Sequence, residues 1–390
     1  MEDKTLKQKV VVIGAGIIGT SVAYFLSKKN VNIVLVDAKD IASGTSGACD
    51  KAIMLQSKKW GPALELAIQS ATLYKDLEQE LQQDLEYRQG GGLILIDNEQ
   101  DLKVLQQTVE KQNSIGLNVK ILTGDEVRKK NPYLSEKIIA ASWCEEDAEI
   151  NPMLTAFAFA KAAHKNKAIL RLNCEVLDLV TENNRILGVQ TTHGKIYADS
   201  VVICSGVWTN QILKTVQLEV PIIPRKGIIL VTEKLPKIID CNILSGSYIV
   251  SKLQKEQNSI PYGIGLAISQ TKSGTLLIGG SREFVGFDES IKTKIIRDIA
   301  KQAIHAFPCL DNIHLIRSFA GFRPYTPDNM PILGEIPSVQ GLYIAAGHEG
   351  DGVALAPITG KLMSELITNQ KIEFDLSPFS IERFLESTIS

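Results

Sequence analysis

KVVVIGAGIIGTSVAYFLSKKNVNIVLVD, residues 9–37, decides the fold of this chain. Val10, Val11, Val12 and Ile13 form a short β-branched run, as a parallel strand buried on both faces requires. Gly14, Ala15, Gly16 and Gly19 then give GxGxxG, and Ile18, Val22, Phe25 and Leu26 follow at helical spacing through residues 17–29. Strand, tight turn and helix in this order make a dinucleotide site: Gly14 permits the turn, Gly16 lets a pyrophosphate approach the backbone, and Gly19 lets helix pack on strand. The pyrophosphate charge then lies at a helix N-terminus, where unpaired N–H groups and the dipole favour it. A second apolar run, residues 33–36, ends in Asp37, 18 residues after Gly19, where a carboxylate accepts hydrogen bonds from a ribose. This stretch alone leaves FAD and NAD open.

The 390 residues are enough for two or three domains. With 42 basic and 44 acidic side chains the net charge is −2, which argues against a nucleic-acid surface. A hydrophobic content of 44% and a charged content of 22% are ordinary for a soluble globular chain. The longest apolar stretches have strand length, so no transmembrane segment is expected. MEDKTLKQK, residues 1–9, leads into the first strand without room for a signal peptide, and a cytoplasmic location is expected. Cys49, Cys144, Cys174, Cys204, Cys241 and Cys309 form neither a CxxC nor a metal-ligand cluster with the five histidines, so reduced, mostly buried thiols are expected and no metal.

Downstream, residues 41–52 form a small-residue loop, and Pro62 opens an amphipathic helix expected to reach about Leu85. Residues 87–144 change character, with strands at 90–96 and 118–122, a helix at 99–114, and a capping box at Thr123 and Glu126. Asn151 and Pro152 restart a helix as N-cap and first-turn proline. Strands then run from 169 to 204, with hairpin turns at Asn183-Asn184 and His193-Gly194. Residues 201–204 enter a glycine turn and return to the first sheet. A second departure, 221–319, is read as strands at 227–232, 247–251, 263–270 and 275–280 with a helix at 289–306. The last return is a strand, glycine turn and helix across 341–367.

The expected architecture is therefore α/β: a Rossmann-type FAD-binding domain from 1–86, 145–220 and 325–390, interrupted by an α+β substrate domain from 87–144 and 221–324 with a mainly antiparallel sheet. NAD-dependent dehydrogenases usually keep their two mononucleotide halves contiguous, so the interruption favours FAD.

Five stretches carry a resemblance: GAGIIG at 14–19, GTSGACD at 44–50, ADSVVICSGVWT at 198–209, GFRPYTPDNMPILG at 321–334 and GLYIAAGHEGDGVALAPITGKL at 341–362. In this order they resemble the glycine oxidase, sarcosine oxidase and D-amino acid dehydrogenase group of FAD-dependent amine oxidoreductases. The variant ACDKAIMLQSKKWG and the GHEGDG turn look most like the catalytic subunits of D-hydroxyproline and opine dehydrogenases. Such subunits work with a partner flavin chain and a small 2Fe–2S chain, which the resemblance implies as a hetero-oligomer here. Asp37 stands where glutamate is commoner in the group, and Cys49 where a larger polar residue is frequent.

Carried over position by position, the resemblance implies cofactor contacts beyond the first turn. Ile17, Ile18 and Ala38 flank that turn and Asp37. Ser43, Gly44, Thr45 and Ser46 form the pyrophosphate and flavin loop. Val176 contacts adenine, Ser205, Gly206 and Trp208 pass the cofactor, and Gly347, Gly350, Asp351, Gly352 and Val353 face the flavin pyrimidine ring. A helix N-terminus there would also stabilise the anionic reduced flavin. One non-covalent FAD is expected.

The implied reaction is oxidation of an α-amino or α-imino acid, such as a D-amino acid, hydroxyproline, an N-alkyl amino acid or an opine, by hydride transfer from Cα to flavin N5, giving an imine. A dehydrogenase is favoured over an oxidase. The protein supplies alignment and electrostatics. Arg323, whose planar fork suits a carboxylate, sits where the group's carboxylate-binding arginine and a cofactor contact fall. Arg317 and Arg225 are alternatives to it, and the plainer reading makes Arg323 a surface or interdomain salt-bridge residue. His348 bonds flavin or substrate or simply packs, and Tyr248 and Tyr262, read in strands, line the pocket or the core. Two other functions stand beside this one: a same-fold dehydrogenase of a hydroxyl substrate, and a flavin-holding electron relay without a substrate of its own.

Overall fold

The computed structural model describes residues 7–253 and 263–385. Strand β1 (Lys9–Ile13), helix α1 (Ile17–Ser27) and strand β2 (Asn32–Val36) follow one another as the opening stretch requires. β1 pairs in parallel with β2 on one side and with Ser200–Ile203 on the other. Parallel pairing continues to Leu342–Ala346 and, past β2, to Ile169–Arg171, while Ile332–Glu335 closes the sheet antiparallel. Six strands result, in the order 332–335, 342–346, 200–203, β1, β2, 169–171.

Successive β1 side chains serve different cores. Val10 and Val12 pack with α1, Pro62–Leu81 and Gly352–Ile367, whereas Val11 and Ile13 pack with Val176, Leu179, Ile186 and Val189. Both faces of the sheet are therefore dry, which is why its strands read as unbroken apolar runs. The second face is covered by a three-stranded antiparallel sheet, Val176–Glu182, Arg185–Thr191 and Gly194–Tyr197. Its first hairpin turns at Asn183 and Asn184, both with positive φ, as a type I′ turn needs.

An eight-stranded sheet stands beside the first, in the order 315–325, 223–234, 275–279, 267–270, 242–245, 92–96, 140–144, 119–123. It is antiparallel except where Asn242–Ser245 runs parallel to Gly92–Ile96. Its strands come from two separate lengths of chain, 92–144 and 223–325. The capping box at Thr123 and Glu126 and the Asn151 N-cap form as expected.

Some local readings change; the strand read at 263–270, for one, begins at Ala267. The helix from Pro62 stops at Leu81 because Gln82 turns left-handed, φ 54°, and Glu78 Oε1 takes the backbone N–H groups of Leu85 and Tyr87. Residues 247–251, read as a strand from their β-branched run, are helix Gly246–Leu253, with Ile249 and Val250 buried. The helix read from 289 begins at Thr293.

The two sheets meet along one seam. Thr45 Oγ1 donates to Phe322 O (2.6 Å), and Glu349 N donates to Pro324 O (3.1 Å). A Cβ on Gly321 would lie 2.5 Å from Ala48 O, so backbone approaches backbone there. No helix among the described residues is long and apolar enough to cross a membrane. All six cysteines are free, four of them buried.

Candidate active site at the seam

A cavity of about 620 Å³ runs from the β1–α1 turn to this seam. Gly14, Gly16, Ile17 and Ile18 line one end, with Asp37 and Ala38 beside them and Val176 across. Ser43, Gly44, Thr45 and Ser46 continue the wall, followed by Ser205, Gly206 and Trp208. Gly347, Gly350, Gly352 and Val353 border the other end with His348, Glu349 and Arg323. Gly19 and Asp351 stand behind the wall. Gly19 serves packing, since a Cβ there would lie 1.8 Å from Gly14 O. Asp351 stands at the N-cap position of the helix Gly352–Ile367, and its carboxylate pairs with buried Lys58 at 2.6 Å instead of capping the helix.

The first end has the donor set for a dinucleotide. The N-cap of α1 is Gly16, with no side-chain cap and no acidic residue in the first turn, so an anion can approach the helix N-terminus and its dipole there. Ser46 Oγ accepts from Ile17 N (2.9 Å) and ties the 43–46 loop to that terminus. A Cβ on Gly16 would meet only Ser46 Oγ, at 3.3 Å, so the chain's own packing does not demand glycine there. What glycine leaves open is cavity. The Asp37 carboxylate is held by Ala15 N (2.6 Å) and Lys39 N (2.7 Å), and each oxygen retains a lone pair for a ribose hydroxyl. These residues fit FAD.

At the other end Arg323 enters the cavity from strand Leu315–Tyr325. Its Nη1 donates to Ser281 O (3.0 Å) and its Nε lies 3.9 Å from Glu349 Oε1. Burial works against its charge, but Tyr248, Glu349 and Asp50 outweigh that and hold its pKa above the ordinary value. The guanidinium lies over Gly227, whose absent side chain makes room for it: a Cβ there would be 2.3 Å from Nη1. Asp50 lines the same cavity; burial pushes its carboxyl up, while Arg323 and Lys58 pull it down.

Other anticipated residues fall elsewhere. His348 borders the cavity, but its Nε2 faces Thr359 Oγ1 (3.1 Å), and burial lowers its pKa to about 3, so the ring is neutral. Tyr248 is on a helix, not a strand, with Arg282 3.5 Å over its ring and outside the cavity wall. Tyr262 lies outside the described residues. Arg317 is exposed and stacks over Phe319 (5.7 Å), away from the cavity. Arg225 is buried, ion-paired with Glu349. Glu349, Gly227 and Asp50 were not singled out above. Glu349 and Gly227 owe their place to cross-strand register and to a contact between sheets, neither of which leaves a trace in spacing; Asp50 lay inside the quoted GTSGACD stretch, where its carboxyl was the available signal. Among the described residues no cluster could hold a metal ion.

Comparison with known proteins agrees with this geometry. The chain is 30% identical over 389 residues to glycine oxidase of Bacillus subtilis (strain 168), covering 96% of this chain and 97% of that one. It is 27% identical to hydrogen cyanide synthase subunit HcnC of Pseudomonas protegens, covering 97% of each. The crystal structure of L-proline dehydrogenase from P. horikoshii superposes with a TM-score of 0.89 at 28% identity, covering 98% of both chains. Residues 9–366 match the family described as DAO, FAD dependent oxidoreductase. With its glycine cradle, its interrupted sheet and a match over nearly its whole length, the chain belongs to the DAO family of FAD-dependent oxidoreductases and takes FAD as its cofactor.

Proposed function

We propose that this enzyme oxidises an α-amino or α-imino acid at the carbon bearing the nitrogen, and that it is a dehydrogenase rather than an oxidase. The observation that carries the substrate class is the Arg323 fork, buried at the seam end of the cofactor cavity. A planar guanidinium there binds both oxygens of a carboxylate and fixes the α-carbon against the cofactor. Relatives named for glycine and for proline support the class. FAD supplies the two-electron acceptor.

The chain's own residues do the rest. Arg323 holds the carboxylate. Oxidation needs the neutral amine, and Asp50, a carboxyl pushed up by burial, is matched to holding the ammonium proton. Trp208 lines the cavity and stacks on Phe287 (6.1 Å), giving that part of the wall an apolar side chain. Electron exit to a partner flavin and 2Fe–2S chain follows the resemblance to the D-hydroxyproline and opine dehydrogenase subunits, and a relative named as a subunit is in keeping with such an assembly.

Anaerobic bleaching of the bound flavin by a panel of glycine, sarcosine, D-amino acids, hydroxyproline and opines tests the reading. At least one member should bleach it, and re-oxidation by air should be slower than turnover with an artificial acceptor. If no panel member bleaches the flavin, the substrate class falls and an electron relay takes its place; re-oxidation by air as fast as turnover makes the enzyme an oxidase.

Gly227→Ala offers a second measurement. Its Cβ would strike the Arg323 guanidinium, the far end of a flexible side chain, so the fork must move while the fold stays. With the bleaching substrate, kcat/KM should fall by about tenfold to a hundredfold at unchanged flavin content, as for a clamp misplaced by about 1 Å. Wild-type kinetics in this variant would take the substrate carboxylate off Arg323.

A further inference from the structure

We propose that Glu349 is a positioning residue: it neutralises Arg225, whose charge would otherwise drive Arg323 from the site, and so keeps the Arg323 fork open to the substrate carboxylate. This inference rests on the reading of Arg323 as the carboxylate clamp.

Arg225 and Arg323 are direct partners in the antiparallel pairing of strands Ile223–Lys234 and Leu315–Tyr325. Residues directly opposite in such a pair share a face with Cβ atoms about 5 Å apart, and like charges there repel. Arg225 is 2% exposed, lies over the Tyr325 ring at 4.6 Å, and leaves its Nε without a hydrogen-bond partner. A buried guanidinium in that position needs an anion. The pairing strands do not supply it. Glu349 does, from a turn of the other sheet: its carboxylate is ion-paired with Arg225 Nη2 and stops 3.9 Å from Arg323 Nε.

The turn itself shows that the side chain matters. Glu349 has φ 51°, in the left-handed region that glycine adopts at no steric cost, and it stands between Gly347, Gly350 and Gly352. A glutamate at such a position carries backbone strain that glycine would remove. What the strain secures is a carboxylate between the two arginines. The Glu349 N–H bond to Pro324 O, one residue past Arg323, ties the same turn to the same strand. One residue thus couples the turn that borders the cofactor cavity to the clamp that holds the substrate.

The geometry gives a pattern of three variants. In Glu349→Gln the carboxylate shared by Arg225 and Arg323 is lost while Asp50 remains beside Arg323, and Arg323, the less buried of the two, moves away from Arg225. In Arg225→Met the Glu349 carboxylate is released to close the 3.9 Å gap and occupy the Arg323 fork in place of substrate. In the double variant both charges are gone, a methionine fills the space over Tyr325, and the fork is free again.

The test titrates pyrrole-2-carboxylate, a ring carboxylate with no oxidisable α-C–H, into the FAD holoenzyme and follows the flavin absorbance. Each single variant should bind about tenfold to a hundredfold more weakly than wild type, and the double should recover to within about fivefold. With the bleaching substrate the loss should fall on the apparent dissociation constant and not on the limiting rate of flavin reduction. A Glu349→Gln protein within about threefold of wild type, a double variant no better than either single, or a loss that falls on the limiting rate of flavin reduction instead of on binding overturns the proposal. Arg323→Ala serves as the separate arm: unchanged binding there removes the clamp itself. Failure of the wild type to bind the probe overturns both.

Discussion

Arg323→Ala should lower kcat/KM by roughly thirty-fold to several thousand-fold and leave the FAD content as it is. The guanidinium is at the seam of the two sheets, in the wall of the cofactor cavity, where a bound carboxylate loses most of its water. Removing one member of a desolvated charge pair costs on the order of 2 to 5 kcal/mol, because the other charge stays behind unpaired. Its hydrogen-bond and ion-pair partners are Ser281 O and Glu349, neither of them at the nucleotide end of the cavity. Arg323→Lys keeps the charge and loses the fork, so it should fall between alanine and wild type, with the loss in KM if the clamp grips ground and transition states alike. Steady-state kinetics with flavin spectra on both variants decide it. Activity of the alanine variant within about threefold of wild type would move the carboxylate site elsewhere in the cavity.

Gly16→Val should give a folded protein that purifies without its flavin. Of the three motif glycines, two are required by the chain's own packing: a Cβ would lie 2.6 Å from Cys204 O at Gly14 and 1.8 Å from Gly14 O at Gly19. At Gly16 a Cβ meets only Ser46 Oγ, at 3.3 Å, and its backbone is extended, φ −68° and ψ 179°, which valine adopts readily. The added methyls fill the space before the α1 N-terminus, where the pyrophosphate takes its N–H groups. Two charge-assisted hydrogen bonds lost at about 1.5–3 kcal/mol each weaken FAD binding by at least a hundredfold. Circular dichroism and thermal melting should match the wild-type apoprotein, and excess FAD should fail to restore the visible spectrum. Wild-type flavin content in this variant would place the pyrophosphate off α1. Gly19→Ala is the contrast, with loss of fold and flavin together.

How much of this protein could be read along the chain depends on the range of the interaction. The nucleotide cradle was legible because its parts are local: strand, glycines, helix and acid lie within residues 9–37 in a fixed spacing, and Gly19 packs directly on Gly14 O. Helix caps at Thr123 and Asn151 and the Asn183-Asn184 turn were legible for the same reason, since side chain and backbone partner are three residues apart or fewer. The segment 246–253 was misread because its β-branched run suits a strand by propensity, while burial of Ile249 and Val250 makes it a helix. The substrate end was the least legible. Gly227 and Gly321 read as ordinary strand glycines until the Arg323 guanidinium and the Ala48 carbonyl are laid over them. Arg225 and Glu349 are 124 positions apart and become a pair only when two sheets meet. Local steric rules write the cofactor site into a contiguous stretch, whereas long-range pairing register and the packing of one sheet on another assemble the charges that receive the substrate, and no spacing in the chain encodes those.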